Sequence, residues 1–246
     1  TSACLEVGVA LYGSFIDRVV PVSSTRAAEM VKLLENIHRS VNIGLVNEMK
    51  MVAERMGLDI FEIVDAAATK PFGFTPFYPG PGIGGHCIPI DPNYLSHNVR
   101  ARLGYPFRFV ELAQEINSGM PGYVVSRVQD LLNEQGKALR GSTVLLLGVT
   151  YKPNIADQRE SPAVPLAKNL MAKGAVVSYH DPHVTDWSSV PDAARVADAA
   201  AAAGEADITV LVQNHREYDV DALAGAAQVF FDTRGQATEA EKVTRL

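Results

Sequence analysis

With 246 residues, 47% of them apolar and 20% charged, the chain can bury one large core or two smaller ones, and two domains of ordinary globular composition are expected. A net charge of −6 without a basic run argues against nucleic acid as a partner, but leaves room for a phosphate-bearing small molecule held by a few local cations. Two cysteines, Cys4 and Cys87, make no disulfide framework, the N-terminus lacks an export signal, and no apolar run approaches the ~20 residues of a membrane span; a reduced, cytoplasmic setting is expected.

Residues 1–22 show a short helical pattern (Cys4, Val7, Leu11) and then an apolar extended piece from Arg18 to Val22. They begin abruptly, as if cut from something longer. Ser23, Ser24 and Thr25 offer N-cap hydroxyls for a long helix in which Met30, Leu34, Ile37, Val41, Leu45, Met49, Val52 and Met56 recur at spacings of three and four, until Gly57 stops it. That stripe is expected to face a core. On the opposite side Lys32 and Asn36 project together, with Arg39 nearby and Asn47 further along; the pattern suits a solvated polar face as well as a binding surface. Asp59 with Glu62 resembles a capping box opening a second helix, DIFEIVDAAAT.

Lys70 to Asn93, KPFGFTPFYPGPGIGGHCIPIDPN, holds six prolines and five glycines in 24 residues, which predicts a long ordered loop. Four aromatics and a cysteine are too apolar for a solvated linker. Gly80, Gly82, Gly84 and Gly85 let backbone amides approach a ligand, while the prolines fix the loop's course beforehand. Cys87 follows that turn, Asp91 lies four residues on, and Pro92 reads as the first position of a third helix ending at Gly104. Taken singly, Cys87 is equally a small buried hydrophobe and Asp91 an N-cap. Their combination with a glycine-rich turn points to a site.

A further helical pattern runs from Phe107 through Asn117 and, after Pro121, to Gly136, so the middle region is all helix apart from its loop. Beyond Lys137 the pattern becomes strand, helix, strand: STVLLLGV is a continuous buried strand, Ser161 and Pro162 open a helix, and AVVSYHDP, DITVLV and VFFDTRG complete a parallel sheet of about four strands with a helix through the alanine run 199–203. Such a doubly wound α/β domain binds its ligand at the C-terminal strand ends. The loop TYKPNIADQRES offers Lys152 and Arg159 near a helix N-terminus, a phosphate site without glycines or simply two surface cations. Asp181 stands where a dinucleotide fold keeps its ribose carboxylate, but no G-x-G-x-x-G follows any strand. His180, Asp181 and His183 share one D-P turn, and no metal is expected there.

PGPGIGGHCIPIDP resembles the nucleophile loop of the UDP-glucose/GDP-mannose dehydrogenase family, and most resembles its UDP-N-acetylhexosamine branch, where His precedes the Cys. AEMVKLLEN is similar to that family's catalytic Lys and Asn segment, and the likeness covers nearly the whole chain. The resemblance implies residues 1–22 as the tail of an NAD-binding domain otherwise absent, 23–120 as a central helical dimerisation domain, and 121–246 as a Rossmann-like UDP-sugar-binding domain with its connecting helix. It implies Cys87, Lys32, Asp91 and Asn36 as catalytic residues. Lys32, Asn36, Phe77, Tyr78, Gly80, Gly82, Gly84, Lys152 and Arg234 would bind the substrate, and Arg159 would reach the cofactor, NAD. A homodimer is expected. Ile90 stands where UDP-glucose enzymes carry a lysine, which favours an N-acetylhexosamine as substrate.

The implied reaction takes a primary alcohol to a carboxylate. A thiolate at Cys87 would trap the aldehyde as a thiohemiacetal, which oxidation turns into a thioester that water cleaves. Lys32 would steady the developing oxyanion, and with Asp91 and Asn36 would position the water. Without its cofactor domain the chain should not turn over. Two rival readings are a nucleotide-sugar-binding and dimerisation module without chemistry, and a cysteine hydrolase, which the adjacency of His86 to Cys87 disfavours.

Overall fold

In the computed structural model, which describes residues 1–238 and 240–246, five helices precede a parallel sheet. Helix α1 (Ser2–Gly13), capped by Thr1, buries none of its residues, and Arg18–Val22 forms no strand. Helix α2 (Thr25–Arg55) starts where Ser24 Oγ accepts from the Ala27 amide, and Gly57 follows it at φ 71°. Asp59 caps α3 (Ile60–Ala68) through the Phe61 amide at 2.8 Å.

The orientation of α2 meets the expectation only in part: Ile37 of the apolar stripe is buried, as are Val46 and Ala53, but most of the stripe is not. Asn36, Ser40, Gly44, Asn47 and Lys50 are buried, whereas Leu34 is 64% exposed, Met56 67%, and Met30, Leu45, Met49 and Val52 lie open as well. The cause is the close approach of α5 (Arg108–Glu134). A Cβ on Gly44 would sit 3.3 Å from the Ala113 backbone, so the two helices meet at small residues and satisfy their polar groups there. Asn47 Nδ2 donates to Asn117 Oδ1 at 3.0 Å, and Asn117 Nδ2 to the Ser40 carbonyl at 3.0 Å. The exposed members of the apolar stripe have no covering element within the described residues.

Helix α4 (Cys87–Leu103) also departs from expectation, beginning at Cys87 rather than at Pro92. Pro89 lies in the first turn, where its missing N–H has no helical partner to lose, and only Pro92 forfeits a bond inside the helix. The long loop is therefore shorter, 69–86. Helix α5 runs unbroken through Pro121 and packs on both α2 and α6 (Ala163–Ala172).

The strands are β1 (Thr143–Leu147), β2 (Val176–His180), β3 (Ala194–Arg195), β4 (Ile208–Leu211), β5 (Phe230–Asp232) and β6 (Val243–Arg245), all parallel, in the order β3-β2-β1-β4-β5-β6. The four expected strands are there; β3 and β6 are two- and three-residue edges too short to leave a pattern. On one face Val144, Leu146, Val210 and Phe231 join α5, α6 and the inner sides of α2 and α3 in a single core. On the other, Leu145, Leu147, Leu211 and Phe230 meet α7 (Ala199–Glu205) and α8 (Val220–Ala226). Register aligns Leu147 with His180 and Leu211, and Leu211 with Asp232, so the strands end together. Order reverses between β1 and β4, and the loops after them form the crevice in which such sheets bind ligands.

Candidate active site

The loop 69–86 is pressed onto the connection between β1 and α6. A Cβ on Gly84 would lie 2.5 Å from Tyr151 Cβ and 2.7 Å from the Glu160 carbonyl; Gly85, at φ 90°, abuts the Tyr151 ring, and its amide donates to the Arg159 carbonyl at 3.2 Å. These glycines let the loop backbone approach the β1–α6 connection closely, and both also line the cavity described next. Gly80 differs only in its neighbours: Asn47 Oδ1 holds its amide at 3.0 Å, and Arg234 Nη1 stands 3.0 Å from where its Cβ would be.

This packing closes a cavity of about 540 Å³ between α2, the loop, the start of α4 and the sheet. Cys87, Lys32, Asn36, Tyr78, Gly80, Gly82, Gly84, Lys152, Arg159 and Arg234 all line it. Cys87 is a free, exposed thiol at the first position of α4, where unpaired backbone amides favour negative charge. Asp91, one turn further along, accepts from Asn36 Nδ2 at 2.8 Å, so it joins the site through the buried Asn36. Lys32 makes an exposed pair with Glu35 at 3.6 Å, an interaction of at most ~1 kcal/mol that does not tie the ammonium down. Phe77, like Asp91, lies outside this lining; it is half-buried against the core and edge-on to His38 at 5.8 Å between centroids.

From the sheet side come three cations. Lys152 follows β1, and Arg159 forks Asp157 through Nε at 2.9 and 3.1 Å. That hydrogen bonding and the Asp157 charge raise the Arg159 pKa. Arg234 donates from Nε to the Val212 carbonyl at 2.7 Å; burial lowers its pKa to about 10, which leaves it charged at neutral pH. Arg39, adjacent to Lys32 and Asn36 on α2, also faces the cavity. Five cations and no carboxylate line it among the described residues, in a chain of net charge −6. An anionic ligand is indicated.

A second hollow of about 640 Å³ shares Tyr78 and Arg234 with the first and continues past Asn154, Gln213 and Gln236 at the ends of β1, β4 and β5. Tyr78 is oriented by donating to Asp65 Oδ1 at 2.6 Å, which raises its pKa. Sequence reasoning missed Tyr151, whose only signal was a bulky ring opposite a glycine pair. Asp181 is no ribose ligand: fully buried, it accepts from the Val149, His183 and Val184 amides and pairs with His215. The β1–α6 connection lacks a glycine fingerprint, and Gly148 packs on the Gln213 carbonyl.

The family model "UDP-glucose/GDP-mannose dehydrogenase family, central domain" matches residues 26–119, and that of the same family's UDP binding domain matches residues 145–239. The chain belongs to the UDP-glucose/GDP-mannose dehydrogenase family. An NDP-N-acetyl-D-galactosaminuronic acid dehydrogenase of Ralstonia nicotianae is 32% identical over 239 residues, covering 96% of this chain and 54% of the relative. A UDP-N-acetyl-D-mannosamine dehydrogenase of Methanococcus maripaludis is 36% identical over 178 residues, covering 72% and 40%. Among solved structures, a UDP-glucose dehydrogenase from the hyperthermophilic archaeon Pyrobaculum islandicum superposes with a TM-score of 0.86 at 26% identity, covering 100% of this chain and 56% of that one. The chain thus spans about half the length of the relatives it matches. In this chain the two matched regions meet at the cation-lined cavity.

Proposed function

We propose that this chain is the substrate-binding and catalytic portion of an NAD-dependent nucleotide-sugar 6-dehydrogenase acting on a UDP-N-acetylhexosamine. The observation that carries this reading is one cavity joining a free thiol at a helix N-terminus to five cations at the crevice of a parallel sheet. The cations suit a diphosphate; the thiol suits a carbonyl intermediate. Lys152 and Arg234 would hold the nucleotide diphosphate, with the uridine in the adjoining hollow, and place the sugar C6 at Cys87. NAD supplies the hydride acceptor, and of the described residues only Arg159 is offered to it.

Cys87 Sγ adds to the aldehyde carbon, forming a C–S bond while the carbonyl oxygen takes a proton, and so retains the intermediate. Oxidation of that thiohemiacetal gives a thioester. Water then attacks the thioester carbon, the C–S bond breaks, and the uronate leaves with Cys87 restored. Lys32 steadies the oxyanion, and Asn36, hydrogen-bonded to Asp91, lets that carboxylate orient the water and accept its proton. The exposed stripe of α2, Leu34 through Met56, supports a homodimer formed through the helical region. No helix among the described residues is long and apolar enough to cross a membrane, and two free thiols suit a reduced cytoplasmic setting.

The test is NADH production by the chain supplied with a dinucleotide-binding domain, against a panel of UDP- and GDP-sugars, wild type beside Cys87→Ser. Two NADH per UDP-N-acetylhexosamine, lost in the variant, is the expected result. No NADH from any sugar, with UDP-sugar binding intact, would leave a binding and dimerisation module instead.

A further inference from the structure

Lys152 projects from a turn that has few attachments of its own. Residues 152–156 are exposed; the Tyr151 amide closes the turn on the Asp157 carbonyl at 3.1 Å, and three further hydrogen bonds fix its shape. Thr150 Oγ1 donates to the Lys152 carbonyl at 2.9 Å, the Asn154 amide donates to His215 Nδ1 at 3.0 Å, and Asn154 Oδ1 accepts from the Arg216 amide at 2.8 Å. Asn154 itself adopts φ 63°, a left-handed conformation that asparagine tolerates but that must be held from outside.

His215, which supplies that hold, is fully buried in the loop after β4. Because its Nδ1 accepts an amide proton, the ring carries its own proton on Nε2, which faces Asp181 Oδ2 at 3.1 Å and Thr150 Oγ1 at 3.3 Å. Asp181 is in turn fixed by the amides of Val149, His183 and Val184. Burial opposes the charge on Asp181, but the bonds from His215 and from those backbone amides outweigh it and hold the carboxyl below the usual range. Asp181 therefore sets the ring's tautomer, and the ring sets the turn.

We propose that His215, oriented by Asp181, is a positioning residue that presents Lys152 to the nucleotide. The alternative use of this cluster is a metal site, since ligand atoms of His183, His215 and Glu217 lie within 4.8 Å of one another. Both nitrogens of His215 are already engaged with Asn154 and Asp181, so no lone pair faces a common centre. A purely structural role is the other alternative, but an apolar side chain would fill the same volume without the desolvation of a buried Asp–His pair. What the pair adds is a specific acceptor for the Asn154 amide.

The inference rests on the assignment of Lys152 to the nucleotide, and the experiment separates the two. UDP is titrated calorimetrically into the 246-residue chain as wild type, Lys152→Ala, His215→Asn, His215→Leu, and Lys152→Ala with His215→Leu, each checked for folding by circular dichroism. Lys152→Ala and His215→Leu should each weaken UDP about tenfold, and the double variant should be no more than about twofold worse than the weaker single, because both act through one contact. His215→Asn keeps an amide oxygen where Nδ1 stood and should bind within about threefold of wild type, a rescue that lost stability alone would not produce. A folded His215→Leu that binds like wild type, or effects that multiply in the double variant, overturns the positioning role. Unchanged affinity in Lys152→Ala, or no UDP binding by the wild type, overturns the Lys152 assignment and this inference with it. If His215→Leu does not fold, Asp181→Asn takes its place, with weakening expected and wild-type affinity again contradicting the role.

Discussion

The sheet and α2 use apolar residues in opposite ways. In the sheet, Val144 to Leu147 and Phe230 to Phe231 are sealed on both faces by helices of the same chain. In α2, most of an apolar stripe lies open, while asparagines, a serine and a lysine share the inner face with Ile37, Val46 and Ala53. Periodicity reveals which residues require a cover; it does not say whether the same chain provides it. The difference separates a surface that makes the fold from one available to a second molecule, and the inner polar face of α2 from both, because that face builds the cavity.

The contrast is sharpest at Phe231, fully buried between β5 and the shared core: Phe231→Ala should cost about 3–5 kcal/mol in urea unfolding, since it removes a large side chain from a site that cannot collapse. Next comes the buried carboxylate of the sheet crevice. Asp181 has a folded pKa below its unfolded value, so its stabilisation is fully present above the unfolded pKa of about 4 and is lost as pH falls through the folded value. Acid titration of stability should therefore decline below about pH 4, and Asp181→Asn should cost about 2–3 kcal/mol at neutral pH while flattening that decline. A smaller loss is expected at the loop, where Gly84→Ala has to move Tyr151 or the Glu160 carbonyl; about 1–3 kcal/mol, with weaker UDP affinity from the displaced cavity wall, is the expected outcome. On α2, Leu34→Ser and Met49→Ser should change the stability of a single chain by less than about 0.5 kcal/mol but reduce self-association in sedimentation velocity. A large stability loss there at concentrations where the chain is monomeric would erase the contrast with the sheet.

Much of this was legible in the residues. Runs such as VLLL, with turn residues around them, have few readings other than buried strands, whereas β3 and β6 are shorter than any pattern window. The start of α4 at Cys87 is hidden in the sequence because its prolines read as breaks, although Pro89 falls in a first turn that does not need its N–H. The polar face of α2 stays open in the sequence because asparagines that satisfy one another, as Asn47 and Asn117 do, are indistinguishable there from asparagines in water. Cys87, Lys32, Asn36, Lys152, Arg159 and Arg234 were singled out by local motifs and are brought to one cavity. His215 left no signal, since its partners Asp181 and Asn154 lie 34 and 61 residues away on other loops.

The most direct measurement is the alkylation of Cys87 by iodoacetamide, read by peptide mass spectrometry with and without a UDP-N-acetylhexosamine, with the exposed Cys4 as an internal control. If the nucleotide sugar occupies the cation-lined cavity, labelling of Cys87 slows saturably while Cys4 is unaffected, and Lys152→Ala raises the concentration needed. A nucleotide sugar that binds the chain but leaves Cys87 labelling at its free rate would place the ligand elsewhere and contradict the account.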